Sequence, residues 1–440
     1  MTNLTTHPSA QDKPNICEEI NTCPKSFISE EVENQEQVGI RPETPFIRRI
    51  AGIRLPHDQS PKDLVALEEL VAVDIHKTKP GDDTYIDDVT DLIQTVFPDS
   101  ELPISPSNDL LNQLTLYNNE LGMWEFSDFD KENYENNLAT FLNKICDNIE
   151  EINPGKKALR KWDSNFCNTP LEGSPISRKP NIALLDVASK CRVTWTSVRA
   201  IVETTSQKKE TRKISNTVTD KSYIILTTQP NRIFVPILSI WGKFNFRLTV
   251  TDRQGQLRSQ VVDIGRPWRS SDALAFLRLI ISFCFADSRL VGYDPTMQTN
   301  REDKVERISC NGKEFKVIDV LFEAQSLIGR GTRVWLVEHE GKRYILKDSW
   351  VEVSRPVSEF ECLDDLKGIK GVAQIFCGGD VSVNGFLLTT GFVRNGDSWG
   401  DQKRNRVRRR VVLSSIGDHI ATFRSRKELI SAFRDITSSM

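Results

Sequence analysis

Apolar residues recur every three to four positions in three stretches of the first 160 residues, and this spacing predicts three amphipathic helices. These stretches are residues 64–71, 86–97 and 138–152. Pro98 and Pro154 mark where the second and third helices are predicted to end. Residues 1–45 are instead rich in Thr, Asn, Pro, Glu and Gln and poor in bulky apolar side chains, which predicts a disordered tail. The sequence therefore predicts a helical region over residues 46–160.

From Pro180 onward the pattern changes to short apolar runs bounded by turn residues, which is typical of strands. The predicted strands are residues 181–186, 198–203, 223–226, 232–240, 246–251 and 260–264. Residues 270–285 have the spacing of a helix, and the polar residues 205–220 predict a flexible loop. Together these elements predict an α/β middle domain over residues 161–300.

Two turn-like blocks lie in this predicted middle domain. Asp252-Arg253-Gln254-Gly255 stands between two apolar runs and predicts a hairpin turn. Gly292-Tyr293-Asp294-Pro295 predicts a loop that leaves the helix before it. Each block is placed where it could hold the middle domain against the region that follows. A turn alone is nevertheless a sufficient explanation for the sequence of both blocks.

Further along, two glycines, Gly329 and Gly331, form what we call the glycine turn, residues 327–332, between two apolar runs. Without a Cβ atom, such a turn lets backbone N–H groups approach phosphate oxygens. Lys347 lies in the next strand-like run, and Glu359 opens a helical pattern from which it can form a salt bridge with that lysine. The four residues predict a nucleotide-binding site, and the neighbouring Asp348 is expected to face solvent.

The ordered set of a Gly-x-Gly turn, the run Ile345-Leu346-Lys347-Asp348-Ser349-Trp350 and a helix-borne Glu359 resembles the fungal-type protein kinases, a divergent branch of the protein kinase superfamily. The upstream blocks Gln229-Pro230-Asn231-Arg232-Ile233-Phe234-Val235, Asp252–Gly255 and Gly292–Pro295 also resemble that family. The similarity extends over residues 160–440. One departure is Val334, which stands where the kinase loop has its third glycine.

The resemblance implies a kinase N-terminal lobe over residues 305–440, ATP and Mg²⁺ as cofactors, and transfer of a phosphoryl group to a protein Ser or Thr hydroxyl. Val411-Val412-Leu413 resembles the strand that enters the kinase hinge. No His-Arg-Asp loop and no Asp-Phe-Gly motif occurs in the 440 residues. Phe433-Arg434-Asp435 is similar to a degenerate catalytic loop, but the long helix of about 20 residues, roughly 30 Å, that must precede such a loop is missing.

We therefore expect the lobe to end within the helix before the catalytic loop, with the C-terminal lobe absent. For this chain the expectation is weak or no ATP binding and no phosphoryl transfer, because the residues that hold metal and orient the hydroxyl are missing. The alternative is a non-catalytic interaction protein, a pseudokinase fragment that binds a protein partner.

A second resemblance concerns the middle domain. Pro180-Asn181, followed by Glu203-Thr204-Thr205, is similar to the Pro-Asp and Glu-x-Lys signature of restriction-endonuclease-like nucleases. Asn181 replaces the metal-binding aspartate and Thr205 replaces the lysine, so the resemblance implies at most a nuclease-like scaffold that binds DNA without cutting it. The simpler interpretation is two ordinary strands on which Asp186 and Glu203 lie at solvent-facing ends.

Amino-acid composition excludes several further classes of protein. A net charge of −3 favours neither nucleic acid nor a membrane as a bulk partner. The nine cysteines include no Cys-x-x-Cys pair, which disfavours disulfide and zinc sites and is typical of a reducing compartment. The longest apolar run, residues 274–285, is interrupted by Arg278 and is too short to span a bilayer. An intracellular protein of the cytoplasm or nucleus is expected.

One strong charge run, Lys403 to Arg410, contains six basic residues in eight. It has the composition of a nuclear import signal or of a phosphate-binding patch. The third interpretation is an exposed insertion before the hinge strand, with its basic side chains in water.

Overall fold

A computed structural model describes residues 65, 67, 84–126, 133–188, 191–205, 207–242, 244–394, 399, 404–417 and 423–438. The predicted tail lies outside the described residues, and so does the predicted helix 64–71 apart from residues 65 and 67. In the described residues the architecture is mixed α/β, with two large sheets.

Helices and strands are numbered here in chain order. The helices are α1 (Leu92–Val96), α2 (Asn108–Gln113), α3 (Tyr134–Ile152), α4 (Arg212–Thr228), α5 (Ser270–Phe285), α6 (Glu359–Asp365) and α7 (Arg426–Ser438). The first ten strands are β1 (Tyr85–Val89), β2 (Tyr117–Asn118), β3 (Met123–Trp124), β4 (Arg160–Asp163), β5 (Ile182–Asp186), β6 (Ala200–Thr205), β7 (Phe234–Trp241), β8 (Asn245–Asp252), β9 (Gln256–Ser259) and β10 (Val262–Asp263). The others are β11 (Met297–Thr299), β12 (Val305–Cys310), β13 (Lys313–Glu323), β14 (Arg333–His339), β15 (Lys342–Glu352), β16 (Ile375–Asp380), β17 (Ser382–Val383), β18 (Phe386–Leu387) and β19 (Arg406–Leu413).

The first sheet has the strand order β1-β9-β8-β7-β6-β5-β4, with β10 paired to β8. Helix α4 connects the parallel strands β6 and β7, whereas most other neighbours are antiparallel. Alternate residues of β5 enter two cores: Ile182 and Leu184 pack with α3 and α5, and Ala183 packs with α4. The sheet is therefore covered by helices on both faces.

The second sheet has the strand order β11-β12-β13-β14-β15-β19-β16, and all of its neighbouring strands are antiparallel. A small core lies beneath it, around Phe315, Trp335 and Leu346. Helix α6 packs against β16 at one end of this sheet. The glycine turn connects β13 to β14, so the second sheet carries the predicted nucleotide-binding residues.

Several predicted elements are confirmed. The helix over residues 138–152 is part of α3, and the helix over residues 270–285 is α5. Strands lie where four runs predicted them, at β5, β6, β7 and β8. The Asp252–Gly255 block is a hairpin turn that connects β8 to β9.

Other predictions are wrong. Residues 86–97 do not form one helix but a strand, β1, followed by the five-residue helix α1. Asp88 and Asp91 have positive φ angles of 53° and 57°, which breaks any continuous helix between them. The predicted loop 205–220 and strand 223–226 are instead largely the single helix α4. Among the residues that the structure describes, no helix is both long and apolar enough to cross a membrane.

Candidate functional site

Two glycines with positive φ angles shape the glycine turn. The φ angle is 107° at Gly329 and 46° at Gly331, a region that residues with a Cβ atom seldom adopt. The turn closes where the Ala324 amide donates to the Thr332 carbonyl over 2.9 Å. A Cβ atom added to Gly329 would meet nothing within 4 Å, so the space beside this residue is open.

Lys347 and Glu359 form the predicted ion pair. The Lys347 ammonium lies 2.6 Å and 2.8 Å from the two carboxylate oxygens of Glu359. Lys347 comes from β15, next to β14, and Glu359 is the first residue of α6. Their side chains are 27% and 39% exposed, so the pair is open to solvent and to a ligand. Arg330 of the glycine turn lies 3.8 Å from the same carboxylate.

Helix α6 begins with a capping box, which fixes the position of Glu359. The Ser358 hydroxyl accepts from the Glu361 amide over 3.0 Å, and the Glu361 carboxylate accepts from the Ser358 amide over 2.7 Å. These bonds lower the pKa of the Glu361 carboxyl. Because the first helical residue is anchored in this way, the Glu359 carboxylate is held facing Lys347.

The hairpin turn Asp252–Gly255 is hydrogen-bonded to the glycine turn. The Arg253 guanidinium donates to the Ser326 carbonyl over 2.6 Å and to the Leu327 carbonyl over 3.2 Å, and the Arg253 carbonyl accepts from the Gly329 amide over 2.9 Å. A Cβ atom on Gly331 would lie 2.7 Å from Nε of Arg253. Gly331 therefore makes room for Arg253, whereas Gly329 leaves room for a ligand.

The other residues of this hairpin turn also make specific contacts. Asp252 accepts two hydrogen bonds from the buried Arg394, over 2.8 Å and 3.0 Å. The side-chain amide oxygen of Gln254 accepts from the Thr390 hydroxyl over 2.7 Å. A side chain at Gly255 would collide with the backbone of residue 84. The block thus lies at the junction of the first and second sheets, and Arg253 makes its contact with the glycine turn.

From Arg404 onward the basic run is not an exposed insertion, and Lys403 lies outside the described residues. Residues 406–413 are strand β19, and Arg408 and Arg410 are buried, with 2% and 1% of their surface exposed. Asp348 is buried too and accepts from both arginines, at 2.7 Å from Nε of Arg410 and 3.1 Å from Nε of Arg408. Asp294 lies 2.8 Å from Arg408. The predicted solvent exposure of Asp348 and the predicted solvation of these basic side chains are therefore wrong.

The remaining upstream blocks meet at the same junction. The Gln229 side-chain amide donates to the carbonyls of Trp195 and Val198 over 2.6 Å and 2.9 Å. The Tyr293 hydroxyl donates to Gln229 over 2.8 Å, and the Arg232 guanidinium lies 3.8 Å from the Tyr293 ring centre. Blocks that are far apart in the sequence thus form one buried polar network between the two sheets.

The residues present fit a nucleotide phosphate better than they fit a resident metal ion. Lys347 is a partly exposed cation, and its partner Glu359 lies 3.8 Å from Arg330 of the glycine turn. Asp348, the nearest carboxylate along β15, is already bound by Arg408 and Arg410. Within the described ranges no group of three or more His, Cys, Asp or Glu side chains is placed to hold a metal ion.

A second group of polar residues lies in the first sheet, where the nuclease-like signature was noted. The backbone amide of Asn181 donates to a carboxylate oxygen of Glu203 over 3.4 Å. Glu203 is only 2% exposed, so the prediction that it lies at a solvent-facing end is wrong. Its partner is Lys221 of α4, which is also buried and forms an ion pair with it. Sequence reasoning missed Lys221 because the helix that carries it was predicted as a loop followed by a strand.

Comparison with known proteins identifies the family. The family model described as fungal protein kinase matches residues 179–439, more than half of the chain. No curated protein and no solved structure matches the chain. The matched range includes the glycine turn, the Lys347–Glu359 pair and the whole polar junction. This chain belongs to the fungal protein kinase family.

Proposed function

We propose that the second sheet and α6 bind the phosphates of ATP between Lys347 and the glycine turn. The observation that carries this proposal is the ion pair between Lys347 and Glu359, with its 2.6 Å contact and partial exposure. With one hydrogen bond to each Glu359 oxygen, the Lys347 ammonium keeps one of its three hydrogens for another acceptor. Phosphate oxygens beside Gly329 are suitable acceptors because no side chain occupies that space.

Each residue has a separate part in this proposal. Lys347 donates a charge-assisted hydrogen bond to a phosphate oxygen, and such a bond is stronger than a neutral one. Glu359 orients the ammonium, and Gly329 leaves space for the phosphate chain. Mg²⁺, when bound, neutralises phosphate charge and enters with the phosphates and water rather than on a protein cage. Asp348 takes no part in holding the metal, since both of its oxygens accept from arginines.

In the family the reaction implied is transfer of the γ-phosphoryl group to a Ser or Thr hydroxyl of a protein substrate. The His-Arg-Asp and Asp-Phe-Gly motifs, which would accept the hydroxyl proton and hold metal, do not occur in these 440 residues. We therefore expect the 440-residue polypeptide to bind ATP weakly and to transfer no phosphate by itself.

A role as a non-catalytic interaction protein is the second candidate. It is favoured by the hydrogen bond between the Gly329 amide and the Arg253 carbonyl, because an engaged amide cannot also bind a phosphate oxygen. In that case the lobe serves as a scaffold for a protein partner and ATP does not bind at all.

ATP titration calorimetry on the 440-residue chain, with and without Mg²⁺, separates these candidates. The informative variant is Lys347→Met, and Lys342→Met is its control because Lys342 begins the same strand but is exposed. Loss of a hydrogen bond to a charged group costs about 1.5–3 kcal/mol, so Lys347→Met should weaken binding at least about tenfold. ATP binding that is equal in both variants contradicts the proposed site. No ATP binding by the unmodified chain favours the interaction protein.

A further inference from the structure

A cavity of about 550 Å³ opens at the end of β6, where the chain leads into α4. It shares no lining residue with the glycine turn. Small-molecule sites range over about 300–1,000 Å³, so the cavity has the size of a site for a nucleotide or a sugar phosphate.

The charged side chains that line the cavity are mostly cationic. Four are basic, namely Arg178, Lys179, Lys213 and Lys221, and one is acidic, Glu203. Lys179 and Lys213 are exposed at the rim. Arg178 forms an ion pair with Asp220, and the Asp220 side chain is buried. Because Arg178 and Lys221 are each paired with a carboxylate, the excess positive charge that an anion would meet comes from Lys179 and Lys213 at the rim.

The inner wall holds a buried ion pair. The side chains of Lys221 and Glu203 are 4% and 3% exposed and form an ion pair. Because Lys221 neutralises the carboxylate, Glu203 does not repel an anion, and the ammonium has further hydrogens to donate. Burial lowers the pKa of Lys221, against the opposing effect of Glu203. A bound anion beside this ammonium would offset part of that desolvation.

Neutral donors complete the wall, and a divalent cation does not fit it. Threonine residues line the cavity at Thr205 and Thr211, and their hydroxyls are good donors to phosphate oxygens. A hard divalent cation prefers several carboxylate oxygens, whereas this wall offers one carboxylate that is already bound to an ammonium. The donor set favours an anion.

We propose that this cavity is a second ligand site, separate from the glycine turn, and that it binds a phosphate ester. Such a group occurs in a free sugar phosphate and in the backbone of a nucleic acid strand. In either case the phosphate lies between the rim lysines and Lys221, with the threonine hydroxyls donating to its oxygens. The site requires no metal.

The test uses the whole 440-residue chain and two probes, ribose 5-phosphate by calorimetry and a fluorescein-labelled 12-nucleotide single-stranded DNA by anisotropy. The rim variant is Lys179→Glu/Lys213→Glu. The control variant, Lys156→Glu/Lys367→Glu, has the same change of net charge at exposed positions that do not line the cavity. Melting temperatures check that both double variants are folded.

The expected result is that at least one probe binds, that the rim variant weakens binding at least about tenfold, and that the control weakens it less than about twofold. Binding of ribose 5-phosphate identifies a small-molecule source, whereas binding of DNA alone, with a steep dependence on salt, identifies a nucleic acid backbone. Two results overturn the proposal: neither probe binds at millimolar concentration, or the two double variants weaken binding equally. Lys347→Met should leave this binding unchanged, so the outcome is independent of the ATP site.

Discussion

The backbone amide of Gly329 donates a hydrogen bond to the carbonyl oxygen of Arg253 over 2.9 Å. This bond joins the turn between β13 and β14 to the turn between β8 and β9, two loops that lie in different sheets. The Arg253 guanidinium adds further bonds to the carbonyls of Ser326 and Leu327. These contacts from the first sheet hold the glycine turn in its conformation, so the turn is not free to move on its own.

This contact predicts that Gly331 cannot accept a side chain. Gly331→Ala places Cβ 2.7 Å from Nε of the buried Arg253, which is held by hydrogen bonds and cannot move without breaking them. Overpacking of this kind costs about 1–3 kcal/mol of unfolding free energy. Urea unfolding of Gly331→Ala, Arg253→Ala and the double variant measures the coupling.

The double variant should be more stable than the sum of the two single effects predicts, by about 0.5–3 kcal/mol, because removal of the guanidinium also removes the collision. Gly312→Ala is the control, since Gly312 has a positive φ of 74° but nothing within 4 Å of an added Cβ. Additive single effects would show that Gly331 and Arg253 are not coupled.

Asp348 should be essential for stability. It is 3% exposed and accepts from Arg408 and Arg410, both of which are also buried. Asp348→Asn removes the charge that balances two buried guanidinium groups, and loss of one partner from a buried ion pair costs about 3–5 kcal/mol. Chemical unfolding should show this loss, whereas Asp364→Asn on the exposed surface of α6 should change stability by less than about 0.5 kcal/mol. Equal effects of the two changes would contradict the buried role of Asp348.

The same residue predicts a dependence on pH. Burial raises the pKa of the Asp348 carboxyl, whereas the positive charges of Arg410 and Arg408 lower it. The two arginines together outweigh burial, so the folded-state pKa lies below the ordinary value. A carboxyl with a lowered pKa stabilises the fold at every pH above about 4, and that contribution is lost as the pH falls through the folded-state value. Unfolding free energy should therefore fall more steeply below about pH 4 in the unmodified chain than in Asp348→Asn. Parallel curves would refute this assignment.

The buried pair of Lys221 and Glu203 predicts a rescue. Lys221→Met leaves a carboxylate that is 2% exposed without its cation, which costs about 3–5 kcal/mol. Adding Glu203→Gln removes the orphaned charge and should restore at least about 1 kcal/mol. Thermal unfolding of the single and double variants provides the comparison. A double variant no more stable than Lys221→Met would mean that the two side chains are not an ion pair in solution.

Local signals in the sequence were sufficient to predict part of this structure. The two glycines, the strand that carries Lys347 and the helix start at Glu359 were each predicted from signals only a few residues long, because turn and helix-start rules are local. The ion pair between Lys347 and Glu359 was predicted on that basis and is present. Its role in binding ATP stays a prediction.

The failures have physical causes that a single sequence does not show. In α4, residues 218–226 are all buried, so this part of the helix lacks the exposed polar face that makes helical periodicity visible. The basic run was predicted to lie in water because its partners, Asp294 and Asp348, are distant in sequence. Sequence charge alone does not reveal whether an arginine is neutralised by a carboxylate from another strand.

Hydrogen–deuterium exchange of the 440-residue chain with and without ATP tests the central claim most directly. If ATP phosphates lie between Lys347 and the glycine turn, ATP should slow amide exchange in peptides that cover residues 327–332 and 345–359. Lys347→Met should abolish this protection, and peptides from α3 should not change in either protein. ATP that binds without protecting these two segments, or that protects them equally in Lys347→Met, would contradict the account.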